Sequence, residues 1–305
     1  MNPEKPAFER PVRIGRISYM NVAPIYFGLD RQNNTDGYEI VSAPPPVLNR
    51  KMAAGELDIS PVSTAAYAEN QDDWVILPNL SISCDGPVMS VVLASRYSVR
   101  DLDGKSVVIS DESASAAALL RLFFKEHEVR PEISCRKIDT DASLATADAV
   151  LVIGDAALNG KWKNDYKYVW DLCGAWKNAT GLPFVFALWA VRKHYAREHA
   201  VRVADTFEIL NQSRRKGCSN LAAITAALQN SCDLGIDILE RYFNGLQYDL
   251  DAYKLKGLKE FYDKLYRFGL IPAPVTPRFI ESVQQGKTFY AHGYKNRPPS
   301  TLSAN

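Results

Sequence analysis

The chain has 305 residues, 47% of them hydrophobic, enough to bury a large core and to favour two lobes over one. Its 36 basic and 35 acidic residues leave a formal charge of +1, so no field would hold it on nucleic acid or an anionic membrane, and neither is an expected partner. No uncharged run approaches the roughly 18 residues that span a bilayer, and the opening MNPEKPAFERPVR lacks the apolar core of a secretory signal; a soluble, cytoplasmic protein is expected.

In chain order, Arg13 to Tyr19 alternates like a half-buried strand, then turns through Asn21 and Pro24 into an apolar helical run. A strand at Tyr38 to Ala43 follows, then a PPP break and a helix from Val47 to Ala54 that ends at Gly55. ELDISPVSTAAYAEN reads as a buried strand and a helix capped by Ser63 or Thr64. This alternation predicts a mostly parallel sheet. WVILPNLSIS and GPVMSVVLAS are extended and β-branched. A second α/β unit then starts, with a strand at Ser106 to Ile109, a serine-rich loop and an amphipathic helix to His127. It continues through ISCRKI and TADAVLVIGDAAL and closes with TGLPFVFALWAVR. From about His194 onward the pattern is helical, and GKTFYAHGYKNRPPSTLSAN reads as a loose tail.

The extended runs near Val88 to Ser95 and Val185 to Val191 bracket the second unit. As crossover strands they make lobe I from residues 1–95 and 190–285 and lobe II from 96–189, with 286–305 as the tail. A cleft between two such lobes suits a small molecule.

Most chemical motifs are absent. DGKS at 103–106 and QGKT at 285–288 lack the earlier glycine of a phosphate loop, since Val99 and Glu281 stand there. His127, His194, His199 and His292 have no neighbouring ligand set, and Arg214, Arg215 and Lys216 complement a helix end. Cys84, Cys135, Cys173, Cys218 and Cys232 include no C-x-x-C pair and read as free, buried thiols. What remains is a set of polar stretches at strand ends: SYMN, PVS, DGPVMS, SDESAS and IGDA. Asn21 is either a helix cap or a substrate contact, and the serines of SDESAS either cap a helix or hold a carboxylate.

Taken together, RIGRISYMNVAPIYFGL, GELDISPVSTAAYA, GPVMSVVLAS, VISDESASAAALLRLFF, ADAVLVIGDAAL and TGLPFVFALWAVR resemble the chorismate dehydratase family of the futalosine route to menaquinone, over roughly residues 11 to 285. The resemblance implies an α/β, two-lobed type II periplasmic-binding-protein-like fold used as an enzyme inside the cell. It implies loss of water from chorismate to give 3-[(1-carboxyvinyl)oxy]benzoate, with no cofactor and no metal. The family's functional asparagine and serine match Asn21 and Ser90. Neither is a base at neutral pH, so both are expected to hydrogen-bond the leaving hydroxyl and the developing charge, and a carboxylate of the substrate itself is a candidate proton acceptor. Ser113 and Ser115 match a serine/threonine pair and become candidates for a substrate carboxylate, although the family often has Thr-Ser where this chain has Ser115-Ala116. Tyr19, Ser63, Gly86, Gly154 and Asp155 are expected to line the same cleft, with helix capping the alternative for Asp155. Two other functions stand beside this one: a non-catalytic solute-binding protein for an aromatic carboxylate, and 1,4-dihydroxy-6-naphthoate synthase. The latter is expected to use a histidine base in lobe II, where His127 is the only histidine.

Overall fold

Burial of Val12, Ile14 and Ile17 along VRIGRI, with both arginines of the run on the wetter side, starts the first strand where the alternation predicts it. The structure, a computed structural model, describes residues 10–32, 37–136, 147–284 and 287–290. The first stretch holds β1 (Val12–Ile17), α1 (Ala23–Gln32), β2 (Tyr38–Ala43), α2 (Pro45–Ala53), β3 (Ile59–Ser63), α3 (Thr64–Glu69) and β4 (Trp74–Cys84). The second holds β5 (Val91–Ser95), β6 (Ser106–Ser110), α4 (Ala114–Glu126), β7 (Glu132–Arg136), β8 (Ala149–Ile153), α5 (Gly154–Asn159), β9 (Tyr168–Asp171) and α6 (Leu172–Thr180). The chain returns through β10 (Phe184–Arg192), α7 (Lys193–Glu198), α8 (Ala200–Cys218), α9 (Leu221–Gln229) and α10 (Ile236–Gly245). It closes with β11 (Leu246–Gln247), α11 (Ala252–Arg267), β12 (Ile280–Gln284) and β13 (Lys287–Tyr290).

Two large sheets organise most of these elements. One is six-stranded, in the order β11-β4-β10-β3-β1-β2, and the other five-stranded, in the order β7-β6-β8-β5-β9. Within them, β2-β1-β3-β10-β4 and β7-β6-β8-β5-β9 repeat one scheme: three parallel strands, then two antiparallel pairings. The repeat is topological and leaves no period in the sequence. The expected mostly parallel sheet is thus mixed, because β10 and β5 each come from the opposite lobe and enter antiparallel to β3 and β8.

The sequence reading divided the lobes at 95/96 and 189/190. Pairing places β5 whole in the five-stranded sheet and β10 whole in the six-stranded one, so the chain crosses between sheets at 85–90 and 181–183, ahead of each strand. β-branched runs mark where a strand lies, and the crossing falls in the proline- and glycine-bearing segments before them. Of the expected tail, Lys287–Tyr290 form β13, antiparallel to β12; residues 286 and 291–305, with His292, lie outside the described residues.

Helix α11 braces the crossing. Phe261 packs edge-on against Phe184 of β10 and Trp176 of α6, with centroids 5.0 and 6.0 Å apart. Lys264 pairs with Glu126 of α4 at 2.5 Å, and the Tyr253 hydroxyl accepts from Lys177 of α6. Ser115, buried in α4, donates to the Phe186 carbonyl at 2.9 Å, accepts from the Ala65 N–H at 3.3 Å and lies 2.8 Å from Thr64 Oγ1. A serine of lobe II therefore satisfies backbone groups of lobe I.

At the amino end of β3 the fully buried Asp58 takes hydrogen bonds from Arg10 (2.6 and 2.9 Å), Arg192 (2.7 Å), the Arg13 side chain (3.1 Å) and the Arg13 N–H (2.9 Å). Burial by itself would raise this carboxyl's pKa, but the three guanidinium partners outweigh it and hold the group well below the usual carboxylate range. Its contribution to stability is therefore complete above the unfolded-state pKa, about 3.9, and is lost as pH falls toward the depressed folded value. Asp58→Asn is expected to cost about 3 kcal/mol, the lower part of the range for breaking a buried ion pair because its arginines stay partly exposed, with the deficit shrinking below about pH 4 in denaturant titrations. Ser115→Ala, which strands the Phe186 carbonyl, is expected to cost about 1–2 kcal/mol by the same measurement.

Candidate functional site

Five strands deliver their carboxyl ends to one cleft. Tyr19 and Asn21 follow β1, Pro45 follows β2, Ser63 ends β3, Ser113 follows β6, and Gly154 follows β8, as open α/β sheets place their ligands. The cleft encloses about 630 Å³ with its open mouth included, and Ile17, Ile82, Ile153 and Phe186 form apolar walls. Its polar surface consists of hydroxyl, amide and backbone groups: no Lys, Arg, His, Asp or Glu is among the described residues lining it. Nor, among the described residues, do three His, Cys, Asp or Glu side chains gather as metal ligands, and no helix is long and apolar enough to cross a membrane.

Asn21 lies in a short 3₁₀ turn, Met20–Val22, between β1 and α1. Its Oδ1 is buried and accepts no hydrogen bond, so it caps no helix. The Tyr19 hydroxyl is likewise buried with no hydrogen-bond partner. Burial raises the Tyr19 pKa, and the nearby Glu112 charge raises it further, so the phenol stays protonated. Two unsatisfied buried polar groups facing one cleft are what a polar ligand would satisfy.

Ser90 is held from several sides. The N–H groups of Val88 and Met89 donate to Asp171 Oδ2 at 2.9 and 2.8 Å, and the Gly154 N–H donates to the Ser90 carbonyl at 2.8 Å. Met89 adopts φ +65°, a left-handed conformation, and this re-aims the chain just before Ser90. Gly154 itself has φ +59°, which a side-chain-bearing residue would adopt only with strain.

Capping a helix does not remove Ser63 or Ser113 from the cleft. Each lines the cleft, and each caps a helix: Ser63 Oγ accepts from the Ala66 N–H at 3.1 Å, and Ser113 Oγ from the Ala116 N–H at 3.3 Å. The first-turn N–H groups of Ala114 and Ser115, at the start of the 13-residue α4, have no intrahelical acceptors. The remaining expected residues lie elsewhere. The Ser115 side chain points away from the cleft into the lobe contact described above. Gly86 sits in the crossing segment with φ +127° and does not line the cleft. Asp155 makes no capping bond; it lines an adjoining outer hollow with Arg16 and Cys232, which Tyr19 also borders. Burial and then the Glu112 charge raise its pKa.

Sequence reasoning missed Tyr242 of α10, which is buried and lines the cleft together with Ser90. In the sequence it is one member of an apolar helical stripe with Leu239 and Phe243, and nothing there sets it apart. The thiols also divide: Cys84 and Cys173 are buried, whereas Cys135 and Cys218 are exposed.

A family model described as menaquinone biosynthesis matches residues 12–267. The chain is 31% identical over 281 residues to a chorismate dehydratase of Thermus thermophilus, covering 87% of this chain and 98% of that one. In structure it is similar to an Archaeoglobus fulgidus protein, with a TM-score of 0.68 and 20% identity over 86% of this chain and 98% of the other. It is also similar to the periplasmic aliphatic sulphonate binding protein of Escherichia coli, with a TM-score of 0.61 and 16% identity over 97% and 99% of the two chains. The fold is thus that of periplasmic binding proteins, and the chain belongs to the menaquinone-biosynthesis family.

Proposed function

We propose that this protein is a chorismate dehydratase, a carbon–oxygen lyase of the futalosine route that converts chorismate to 3-[(1-carboxyvinyl)oxy]benzoate and water in the cytoplasm without a cofactor. The observation that carries this reading is the likeness to the Thermus thermophilus chorismate dehydratase along nearly the whole of both chains. The cleft's chemistry agrees with it. Removal of the ring proton at the ether-bearing carbon sends its electron pair through the adjacent double bond toward the ring carboxylate. The neighbouring carbon–oxygen bond then breaks, hydroxide leaves, and with the released proton it makes one water as the ring becomes aromatic.

Such a reaction needs placement more than a strong protein acid or base. The free amides at the start of α4, with the positive end of its dipole, would take one carboxylate of the dianion beside Ser113. Asn21 and Ser90 would hydrogen-bond the departing hydroxyl. Among the described residues the lining holds no carboxylate, imidazole or amine, and this reading takes the enolpyruvyl carboxylate of the substrate itself as the proton acceptor.

Purified protein incubated with chorismate is expected to yield a product lighter by one water in mass spectrometry. Tight binding of unchanged chorismate would instead make the protein a carrier. Asn21→Ala and Ser90→Ala are each expected to lower kcat by about 100-fold, as loss of a preorganised donor at developing charge does. Ser115→Ala, whose hydroxyl faces the lobe contact, is expected to keep kcat within about threefold of the wild type even where it lowers stability. Equal turnover in all three variants would remove the roles given to Asn21 and Ser90.

A further inference from the structure

The five-stranded sheet ends at β7, whose outer side pairs with no strand among the described residues. On its inner side β7 runs parallel to β6: the Glu132 N–H donates to the Lys105 carbonyl at 2.8 Å, and the Asp111 N–H donates to the Arg136 carbonyl at 3.3 Å. Backbone direction alternates along a strand, so Glu132, Ser134 and Arg136 turn their main-chain groups to β6, while the N–H and C=O groups of Ile133 and Cys135 point outward. The side chains of Glu132, Ser134, Cys135 and Arg136 are exposed. Lysines along an edge strand repel a second copy. Here an acid and a base stand at opposite ends of the strand, and neither forms an ion pair among the described residues.

We propose that β7 is the interface of a two-fold homodimer, in which it pairs antiparallel with β7 of a second copy and joins the two five-stranded sheets edge to edge. Glu-Ile-Ser-Cys-Arg is complementary to itself in that direction. With Ser134 on the two-fold axis, Ile133 lies opposite Cys135 of the second copy, and these are the residues whose N–H and C=O groups are free to bond across. The same register sets Glu132 opposite Arg136 at both ends, so two ion pairs form where like charges would repel. Sliding by two residues one way brings Arg136 against Arg130 instead. Sliding the other way carries Glu132 past the end of the second copy's strand. On the α4 side of the sheet, Ile133 walls a hollow with Phe124, Val129, Pro131 and Leu270, and a strand laid along β7 covers that apolar edge as well. The cleft is built at the carboxyl ends of other strands, so the interface is independent of the function proposed above.

The test is a charge-swap cycle read by sedimentation equilibrium of the full chain, with Glu132→Arg, Arg136→Glu and the two together. Wild type is expected to be a dimer. Each single reversal sets like charges against each other at both ends and should weaken dimerisation by about tenfold or more. The double variant, E132R/R136E, restores opposite charges in the same register and should dimerise within about threefold of wild type. All four sites of reversed charge are exposed, so the unfolding midpoints should stay close to wild type and show that the single variants are folded. Cys135 gives a second readout. In a Cys218→Ser background, a short bismaleimide should link the two Cys135 thiols, which stand diagonally across the axis on one face, and Cys135→Ser should abolish the cross-linked dimer. A monomeric wild type would overturn the proposal. So would a dimer that both single reversals leave intact, or one that the double variant fails to restore.

Discussion

One carboxylate sets the geometry on which the cleft depends. Asp171, at the end of β9, accepts four backbone N–H groups: Val88 and Met89 at Oδ2, Cys173 and Gly174 at Oδ1. The same side chain thus caps α6 and pins the segment along which the chain enters lobe II. Hydrogen bonds to an ionised acceptor are about twice as strong as neutral ones, and they hold Met89 in a left-handed conformation that would otherwise cost about 1–2 kcal/mol. Once that residue is fixed, the direction in which Ser90 leaves the backbone is fixed as well. The Gly154 N–H then locks the Ser90 carbonyl, which joins the end of β8 to the start of β5.

The cleft that this constraint shapes is lined, among the described residues, by neutral groups. Serine and asparagine side chains, together with the free amides of α4, can bind an anion while bringing no counter-ion whose own solvation must be stripped. The charged groups of the region lie just outside: Asp155 in the adjoining hollow and Glu112 beside Tyr19. In the proposed reaction, the architecture of a binding protein, a cleft between two lobes lined by helix starts and hydroxyls, would serve elimination. The only further requirement is that donors stand where the leaving oxygen will be.

Much of this was legible in the sequence, and the exceptions have physical causes. The strand ends were readable because hydrophobic alternation stops there and polar residues begin, so Tyr19, Asn21, Ser63, Ser90, Ser113 and Gly154 all reach the cleft. Ser115 does not, because residues two apart on a helix point to nearly opposite sides; the turn that sends Ser113 into the cleft sends Ser115 into lobe I. Asn21 could not be separated from a cap by residue type, and the isolation of its Oδ1 removes the cap. Tyr242 was hidden because it lies on a buried helix face like any core aromatic and reaches the cleft only through the return of the chain to lobe I. The lobe crossings were read a few residues late, since composition reports strand propensity and is silent about which sheet a strand joins.

The central claim is that placed neutral hydrogen bonds, and no titrating side chain of the cleft, carry the reaction. The pH dependence of kcat/KM for chorismate tests it most directly. The account predicts a flat profile from about pH 6 to pH 9, because the cleft tyrosines are held above their ordinary range and no imidazole is among the described residues lining the site. An inflection near pH 6.5, the signature of a histidine base, would contradict it.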